Sequence, residues 1–181
     1  HDALPIYAIS NAVDNGVKHI VLPNIDASTI SKLIEVCAAN KNICYPALGL
    51  HPTHVNADYE SELMKIRQVV FNTKIVAIGE IGIDLYWDKT HFTEQVKAFV
   101  TQIKWAAELN LPVIIHSRKS LNDLFAILDE YKALQLEGVF HCFPGNAKEA
   151  LRAIEKGFYL GIGGVVTYKN SEMSRVVCEV P

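Results

Sequence analysis

The chain has 181 residues, of which 50% are hydrophobic and 20% charged, so it is long and apolar enough to build the core of a globular domain. Its formal net charge of −3 excludes the basic surface with which proteins clamp duplex DNA, although a small site could still hold a nucleic acid through a metal. No apolar stretch approaches the roughly 20 residues that a membrane helix needs, so we expect no membrane contact.

Six short apolar runs follow one another along the chain, separated by segments with helical periodicity. The runs are residues 19–23, 45–50, 75–81, 113–115, 138–143 and 158–167. They are apolar on both faces, which is typical of parallel strands covered by helices. The repeated strand–helix units predict an α/β fold.

The segments between the runs show the apolar periodicity and the capping residues that are typical of helices. The longest covers residues 91–110, where apolar side chains recur at helical spacing. We predict that Thr90 caps the start of this helix and that Asn110 ends it. Two further helices are predicted to open on capping boxes, Ser120-x-x-Asp123 and Asn146-x-x-Glu149.

Four of the runs end on a polar residue that could bind a metal or a phosphate. These residues are His51, Glu80, His116 and His141. In a parallel barrel the strand ends share one face, which is where such barrels carry out their chemistry. Two His and one Glu converging there suit a divalent metal and a hydrolytic reaction.

Two α/β architectures fit the repeated units. A doubly wound sheet places its function at a switch point, often with a Gly-rich turn that opens a helix. The glycines over residues 161–164 instead lie inside an apolar run and precede no obvious helix. A TIM-type (β/α)8 barrel spreads functional residues over the ends of many strands, as found here. We predict that barrel, with about six of its eight strands present and incomplete at both ends.

At five places the sequence resembles the TatD family, metal-dependent hydrolases of the amidohydrolase-like barrel type that are usually described as deoxyribonucleases. The motifs are GLHP (49–52), GEIGID (79–84), NLPVIIHSR (110–118), GVFHCFPG (138–145) and GGVVTYK (163–169). They occur in the family's order, and the resemblance runs from about residue 19 to the end of the chain. It implies a single, partial metal-dependent hydrolase domain over residues 1–181.

The resemblance also implies roles for individual residues. Glu80 matches the family's bridging metal carboxylate, and His116 and His141 match the two imidazole ligands of one of two metals. Three further positions match residues that line the substrate cleft: His51, Asp84 and Arg118. The family's His-x-His pair on the first strand and its Asp on the eighth strand, usually assigned the role of base, are not found in this sequence.

Each predicted metal ligand has a structural alternative. An unpaired carboxylate inside an apolar strand is costly, so Glu80 could belong to a structural ion pair. His116 and His141 could be core histidines with satisfied hydrogen bonds. Because the three residues stand together at strand ends, we favour the ligand interpretation for all of them.

The predicted catalytic and substrate-binding residues have alternatives as well. We predict that Glu80, Asp84 and Arg118 are catalytic, with Arg118 pairing with a phosphate. Asp84 could instead cap a turn, Arg118 could form a surface ion pair, and His51 could be an ordinary loop residue. Tyr86, with Trp87, could stack on a base or simply pack.

Three hypotheses for function remain open at this point. The first is metal-dependent hydrolysis of phosphodiester bonds in DNA, by an exonuclease acting on single strands or 3′ ends. The second keeps the site but changes the bond to an ester or amide, such as an aminoacyl ester on tRNA. The third is an inactive fragment or scaffold, because part of the family's ligand set is missing.

The predicted cofactors are divalent ions, two in a complete site, and nitrogen with carboxylate ligands suits Zn, Mn, Ni or Mg. The four cysteines include no CxxC pair, and we expect reduced thiols in a cytoplasmic protein. Cys37 and Cys142 are predicted to be packed among apolar neighbours. Apolar strands left unpaired at the edges of an open barrel predict association between chains.

Overall fold

Six parallel strands form one sheet in the part of the chain that the computed structural model describes, residues 3–86 and 88–181. The strands are β1 (Ile20–Pro23), β2 (Cys44–Leu48), β3 (Ala77–Asp84), β4 (Val113–Arg118), β5 (Gly138–Phe140) and β6 (Phe158–Leu160). Each strand pairs in parallel with the next one along the chain. A doubly wound sheet reverses its strand order at a switch point, so this sequential order confirms the predicted TIM-type α/β arrangement.

A helix follows every strand, and another precedes the first. The helices are α1 (Ala3–Asp14), α2 (Ile30–Ala39), α3 (Tyr59–Val70), α4 (Phe92–Leu109), α5 (Leu121–Glu130), α6 (Ala147–Glu155) and α7 (Glu172–Glu179). Within the described ranges, no helix combines the length and the apolar character needed to cross a membrane. Because every connection returns through a helix, the carboxyl ends of all six strands lie on one face.

The core lies between the sheet and the helices. α4 packs on β3 and buries Phe99 and Ile103 completely. At the other end of the sheet, the Phe140 ring meets Phe125 at 5.6 Å and Phe158 at 5.4 Å, both edge to face. Burying one such side chain stabilises the fold by about 1.5–3 kcal/mol, so these contacts fix the helices on the sheet.

Two predicted strands end earlier than expected. The strand predicted over residues 158–167 is wrong beyond Leu160, because Gly164–Thr167 form a 3-10 helix. Strand β5 ends at Phe140, before its predicted end at residue 143, although the His141 and Phe143 amides still donate to the carbonyls of Ile115 and Gly161. Cys142 has a φ of +44°, a left-handed conformation that turns the chain away from the ladder.

The predicted end of α4 is confirmed, whereas its predicted start and one predicted capping box are wrong. Asn110 ends α4 in the left-handed region with φ +51°, as expected. His91, and not Thr90, precedes the helix, and it makes no side-chain capping bond. Ser120 does not cap α5, because its hydroxyl donates instead to the carbonyl oxygen of Ile83 at 2.6 Å.

The second predicted capping box is confirmed at the start of α6. The Glu149 amide donates to Asn146 Oδ1 at 3.1 Å, and the Asn146 amide donates to Glu149 Oε2 at 2.9 Å. Such a cap stabilises a helix by about 1 kcal/mol.

All four cysteines carry free thiols. Cys37 is buried, as predicted, whereas the prediction that Cys142 is packed is wrong, because this residue is exposed in the turn that follows β5. The prediction of a single domain over residues 1–181 stays a prediction.

Candidate metal centre

Glu80 lies at an irregularity in the pairing of β3 with β4. Gly79 pairs with Ile114 and Ile81 pairs with Ile115, so Glu80 has no partner residue in that register. An extra, unpaired residue of this kind redirects its side chain and is common next to active sites. The Glu80 carboxylate therefore reaches side chains from the ends of both neighbouring strands.

Glu80 meets two imidazoles, one on each side. Its Oε2 lies 3.9 Å from His51 Nε2, and its Oε1 lies 3.6 Å from His116 Nδ1. The two imidazole rings are 4.6 Å apart between centroids. Across residues 3–86 and 88–181, these side chains form the one group of three or more His, Cys or acidic residues whose ligand atoms all lie within 4.8 Å of one another.

His51 enters this cluster through a loop that begins where β2 ends. It precedes the 3-10 helix Pro52–His54, and its Nδ1 lies 2.7 Å from the Thr53 hydroxyl and 3.2 Å from the Thr53 amide nitrogen. Since Thr53 takes up Nδ1, the opposite ring nitrogen, Nε2, faces Glu80. The sequence placed His51 in the substrate cleft, whereas the structure brings it to the predicted metal ligands.

Asp84 holds His116 from the side away from Glu80. Asp84 Oδ2 lies 2.9 Å from His116 Nε2, and Asp84 Oδ1 accepts from the Tyr86 amide at 2.9 Å. The Asp84 side chain is only 3% exposed. Asp84 therefore orients an imidazole and also caps a turn, which was its structural alternative. A carboxylate behind a histidine is the usual arrangement around a metal ligand.

The cluster shifts the pKa of each of its members. Burial and then the nearby His116 charge lower the pKa of His51 to about 4. Burial lowers the pKa of His116, but Glu80 and Asp84 outweigh it and raise that pKa above its ordinary value. Burial raises the pKa of Glu80, but His116 above all, with the other two nearby imidazoles, holds it below its ordinary value. At neutral pH Glu80 is therefore ionised and His51 is neutral.

This cluster fits a divalent cation. Glu80 Oε1 is buried and has no hydrogen-bond partner, because His116 Nδ1 lies slightly too far away. An unpaired buried acceptor costs about 1–3 kcal/mol, and more when it is charged, so a positive partner is expected there. Two imidazole nitrogens and a carboxylate oxygen form a donor set that zinc and similar metals accept.

His141, the third predicted metal ligand, lies outside the three-residue cluster. Its amide donates to the Ile115 carbonyl at 2.8 Å, which places its backbone beside β4. Its Nε2 lies 3.3 Å from Cys142 Sγ, and its charge contributes to lowering the pKa of Glu80. His141 is thus near the cluster without joining it in this structure, and its role as a ligand stays a prediction.

Arg118 and Tyr86 form a pair beside the cluster. The Arg118 guanidinium lies 3.8 Å from the centroid of the Tyr86 ring, and Tyr86 is half exposed. Both residues line a cavity of about 510 Å³, together with Lys119 at the start of α5. Trp87, which was predicted to act with Tyr86, lies outside the described residues.

Most of the polar side chains that the fold buries were not predicted from the sequence. Six polar or charged side chains are buried among the described residues: Asn24, Asp84, Gln95, Gln102, Ser117 and Ser120. Two of them, Gln95 and Gln102, lie on the apolar face of α4. A glutamine repeated after seven residues inside that stripe was the available indication.

A parallel barrel-type sheet with two imidazoles and a carboxylate gathered at one face is the architecture of a metal-dependent hydrolase. Comparison with known proteins agrees. The family model of TatD related DNase matches residues 4–181. The chain therefore belongs to the TatD family of metal-dependent hydrolases.

Individual relatives give the same result. The uncharacterized metal-dependent hydrolase YabD of Bacillus subtilis is 38% identical over 174 residues, covering 96% of this chain and 68% of YabD. The crystal structure of YjjV, a TatD homologue from Escherichia coli, is 31% identical with a TM-score of 0.88, covering 97% of this chain and 68% of that one. A protein of Pantoea ananatis named 3′-5′ ssDNA/RNA exonuclease TatD is 29% identical over 158 residues, covering 87% of this chain and 61% of its own length.

Proposed function

We propose that this protein hydrolyses phosphodiester bonds at a single-stranded end of DNA, with a divalent metal held by His51, Glu80 and His116. The observation that carries the proposal is the buried, unpaired Glu80 oxygen between two imidazoles. The name of the Pantoea relative, an exonuclease of single-stranded DNA and RNA, supports a nucleic-acid substrate.

When bound, such an ion supplies polarisation of a phosphoryl oxygen and acidification of a water molecule. Glu80 provides the negative charge that attracts it, and Asp84 keeps His116 in place through the bond at Nε2. His51 is neutral at pH 7, because its pKa is about 4. With its ring proton on Nδ1, donated to Thr53 Oγ1 at 2.7 Å, the ring leaves Nε2 free to act as a ligand. We propose two ions in the complete site, with His141 contributing to the set.

The neighbouring cavity suits the phosphate and base of a strand end. Arg118 can pair with a phosphate through its planar fork, and Lys119 adds a second positive charge at the same cavity. The exposed part of the Tyr86 ring offers an apolar surface to a base. Asp123 and Glu149 line the same cavity, so its two cations suit a single terminal phosphate better than a run of phosphates. The formal net charge of −3 likewise does not favour a duplex bound along its length.

A nuclease assay tests the proposal. Single-stranded oligonucleotides labelled at either end are incubated with the protein and a divalent metal, and with excess EDTA. We expect shortening from one end that EDTA and Glu80→Gln abolish, while Glu108→Gln on the exposed face of α4 leaves it unchanged. Cleavage that persists in EDTA or in Glu80→Gln would contradict the proposal. Turnover of an aminoacyl ester, with the oligonucleotide left intact, would favour ester hydrolysis instead.

A further inference from the structure

The helix α4 carries two buried glutamines that face the sheet. Gln95 is 4% exposed and Gln102 is 1% exposed. They are seven residues apart, about two helical turns, so they lie on the same face of the helix. Each glutamine forms hydrogen bonds with the backbone at the carboxyl end of a different strand.

Gln102 binds the chain just before His51. Its Oε1 accepts from the Leu50 amide at 2.6 Å, and its Nε2 lies 3.4 Å from the Leu50 carbonyl oxygen and 3.1 Å from that of Ala98. Leu50 lies beyond the last residue of β2, so its buried peptide groups have no ladder partner. The side-chain amide of Gln102 replaces the missing strand.

Gln95 makes the same contact with Asp84, the residue that holds His116. Its Oε1 accepts from the Asp84 amide at 2.8 Å, and its Nε2 donates to the Asp84 carbonyl at 3.2 Å. The Asp84 carboxylate then meets His116 Nε2 at 2.9 Å. The two glutamines thus act on opposite sides of the cluster, one beside His51 and the other behind His116.

We infer that Gln95 and Gln102 are positioning residues. By binding Asp84 and Leu50 to the same helix, they fix the position of the His116 ring relative to the His51 ring. A primary amide offers a donor and an acceptor side by side without carrying a charge, which matches the two peptide groups of a single residue. Because both amides come from α4, the helix links Leu50 to Asp84, and both residues lie beyond the stretch over which β2 and β3 pair. This inference rests on the proposed metal centre.

The imidazoles themselves report on this positioning in the metal-free protein. We would record the ¹⁵N and ¹H shifts of His51 and His116 in Gln95→Met and Gln102→Met, which keep the side-chain length and remove both hydrogen bonds. Ile103→Val, a change at a fully buried position of the same helix, is the control for lowered stability alone. We expect Gln95→Met to move mainly His116 and Gln102→Met to move mainly His51.

The inference is overturned if either glutamine variant moves its own imidazole no more than Ile103→Val does. Should a methionine variant fail to fold, Gln95→Asn or Gln102→Asn takes its place, since each keeps an uncharged amide but is one methylene too short to hold both peptide groups of the strand. These are expected to move the same imidazole by a smaller amount.

Binding of Co²⁺ to the full chain, followed by visible absorbance, provides a second measurement. We expect each methionine variant to weaken Co²⁺ affinity about tenfold and to change the spectrum, with Ile103→Val unchanged. Equal affinity and spectra in all variants would overturn the inference while leaving the metal centre intact. If the unmodified chain bound no Co²⁺, the proposed metal centre would fail, and the imidazole shifts would still decide whether the glutamines position the rings.

Discussion

His116 lies between two carboxylates, with Nε2 2.9 Å from Asp84 Oδ2 and Nδ1 3.6 Å from Glu80 Oε1. One ring therefore uses one nitrogen for orientation and presents the other to the buried, unpaired oxygen of Glu80. Because Asp84 binds Nε2 and leaves Nδ1 for the metal, Asp84 contributes to metal binding indirectly, through the orientation of His116.

Replacing Asp84 by Asn keeps its shape and removes its charge. We expect the affinity for Zn²⁺ or Mn²⁺ to fall about 10- to 100-fold, because the ring loses the negative charge that raises its basicity and holds its proton on Nε2. A competition titration with a metal indicator measures the change. Asp88→Asn, in an exposed side chain four residues away, is the matched control. Similar losses in the two variants would show that Asp84 has no special role.

Metal uptake should depend on pH through His116. Its pKa is raised, so around and below that pKa a proton competes with the metal, and affinity should rise with pH until His116 is neutral. His51 adds no such dependence until the pH approaches about 4, since its pKa is lowered to that value. Calorimetry in buffers of different ionisation enthalpy should show net proton release on binding near neutral pH. Release that is unaltered in Asp84→Asn would argue against His116 as its source.

Gly82 permits the close approach of β3 and β4 beside His116. It has φ +144°, and a Cβ there would lie 2.0 Å from the His116 carbonyl oxygen. We expect Gly82→Ala to lower the free energy of unfolding by at least about 2 kcal/mol, measured by urea denaturation. Gly16→Ala, at φ +88° in open space, should cost less, and Gly164→Ala should cost least. A Gly82→Ala variant as stable as Gly164→Ala would contradict this account.

The reactivity of the four thiols should follow their burial, with the exposed thiols reacting before the buried ones. Burial above all, with a contribution from Cys44, raises the pKa of Cys37 to about 11, so native Cys37 should not react with a disulfide reagent at pH 8. The exposed residues Cys142 and Cys178 should react first, and all four should react in urea. Since the unfolded thiol ionises near pH 9, the contribution of Cys37 to stability is present below that pH and is lost towards pH 11. Rapid labelling of Cys37 in the native protein would contradict its burial.

The elements of the fold were predictable because each strand contains a short apolar run, but the place where pairing stops was not. The ladder at β6 ends at Leu160 although the sequence stays apolar to Val166, because the backbone turns into a 3-10 helix there. Such ends depend on dihedral angles, like the positive φ of Cys142, which residue type alone does not indicate.

The candidate site was predictable in its residue types and only partly in its geometry. Glu80 and His116 belong both to the predicted metal set and to the observed cluster. His51 joins them because Thr53 turns its ring, and a hydrogen bond between neighbouring loop residues leaves no periodic pattern in a sequence. The unpaired position of Glu80 depends on the register between β3 and β4, and the hydrogen bonds of Gln95 to Asp84 depend on how α4 packs on β3. Hydrophobic periodicity could not reveal either of them.

Arg118 provides the test of the substrate cleft. The central carbon of its guanidinium lies 3.8 Å from the centroid of the Tyr86 ring, and a lysine would keep the charge but lose the planar fork and its contact with the ring. We expect Arg118→Lys to raise KM for a single-stranded oligonucleotide about tenfold, since one good charged contact is worth about 1.4 kcal/mol or more, with a smaller effect on kcat. Arg67→Lys is a matched control, because Arg67 makes the same kind of stack on Phe71, at 4.4 Å on α3. If both variants kept the original KM, Arg118 would be a surface side chain, and the cleft would have to be sought on another side of the metal centre.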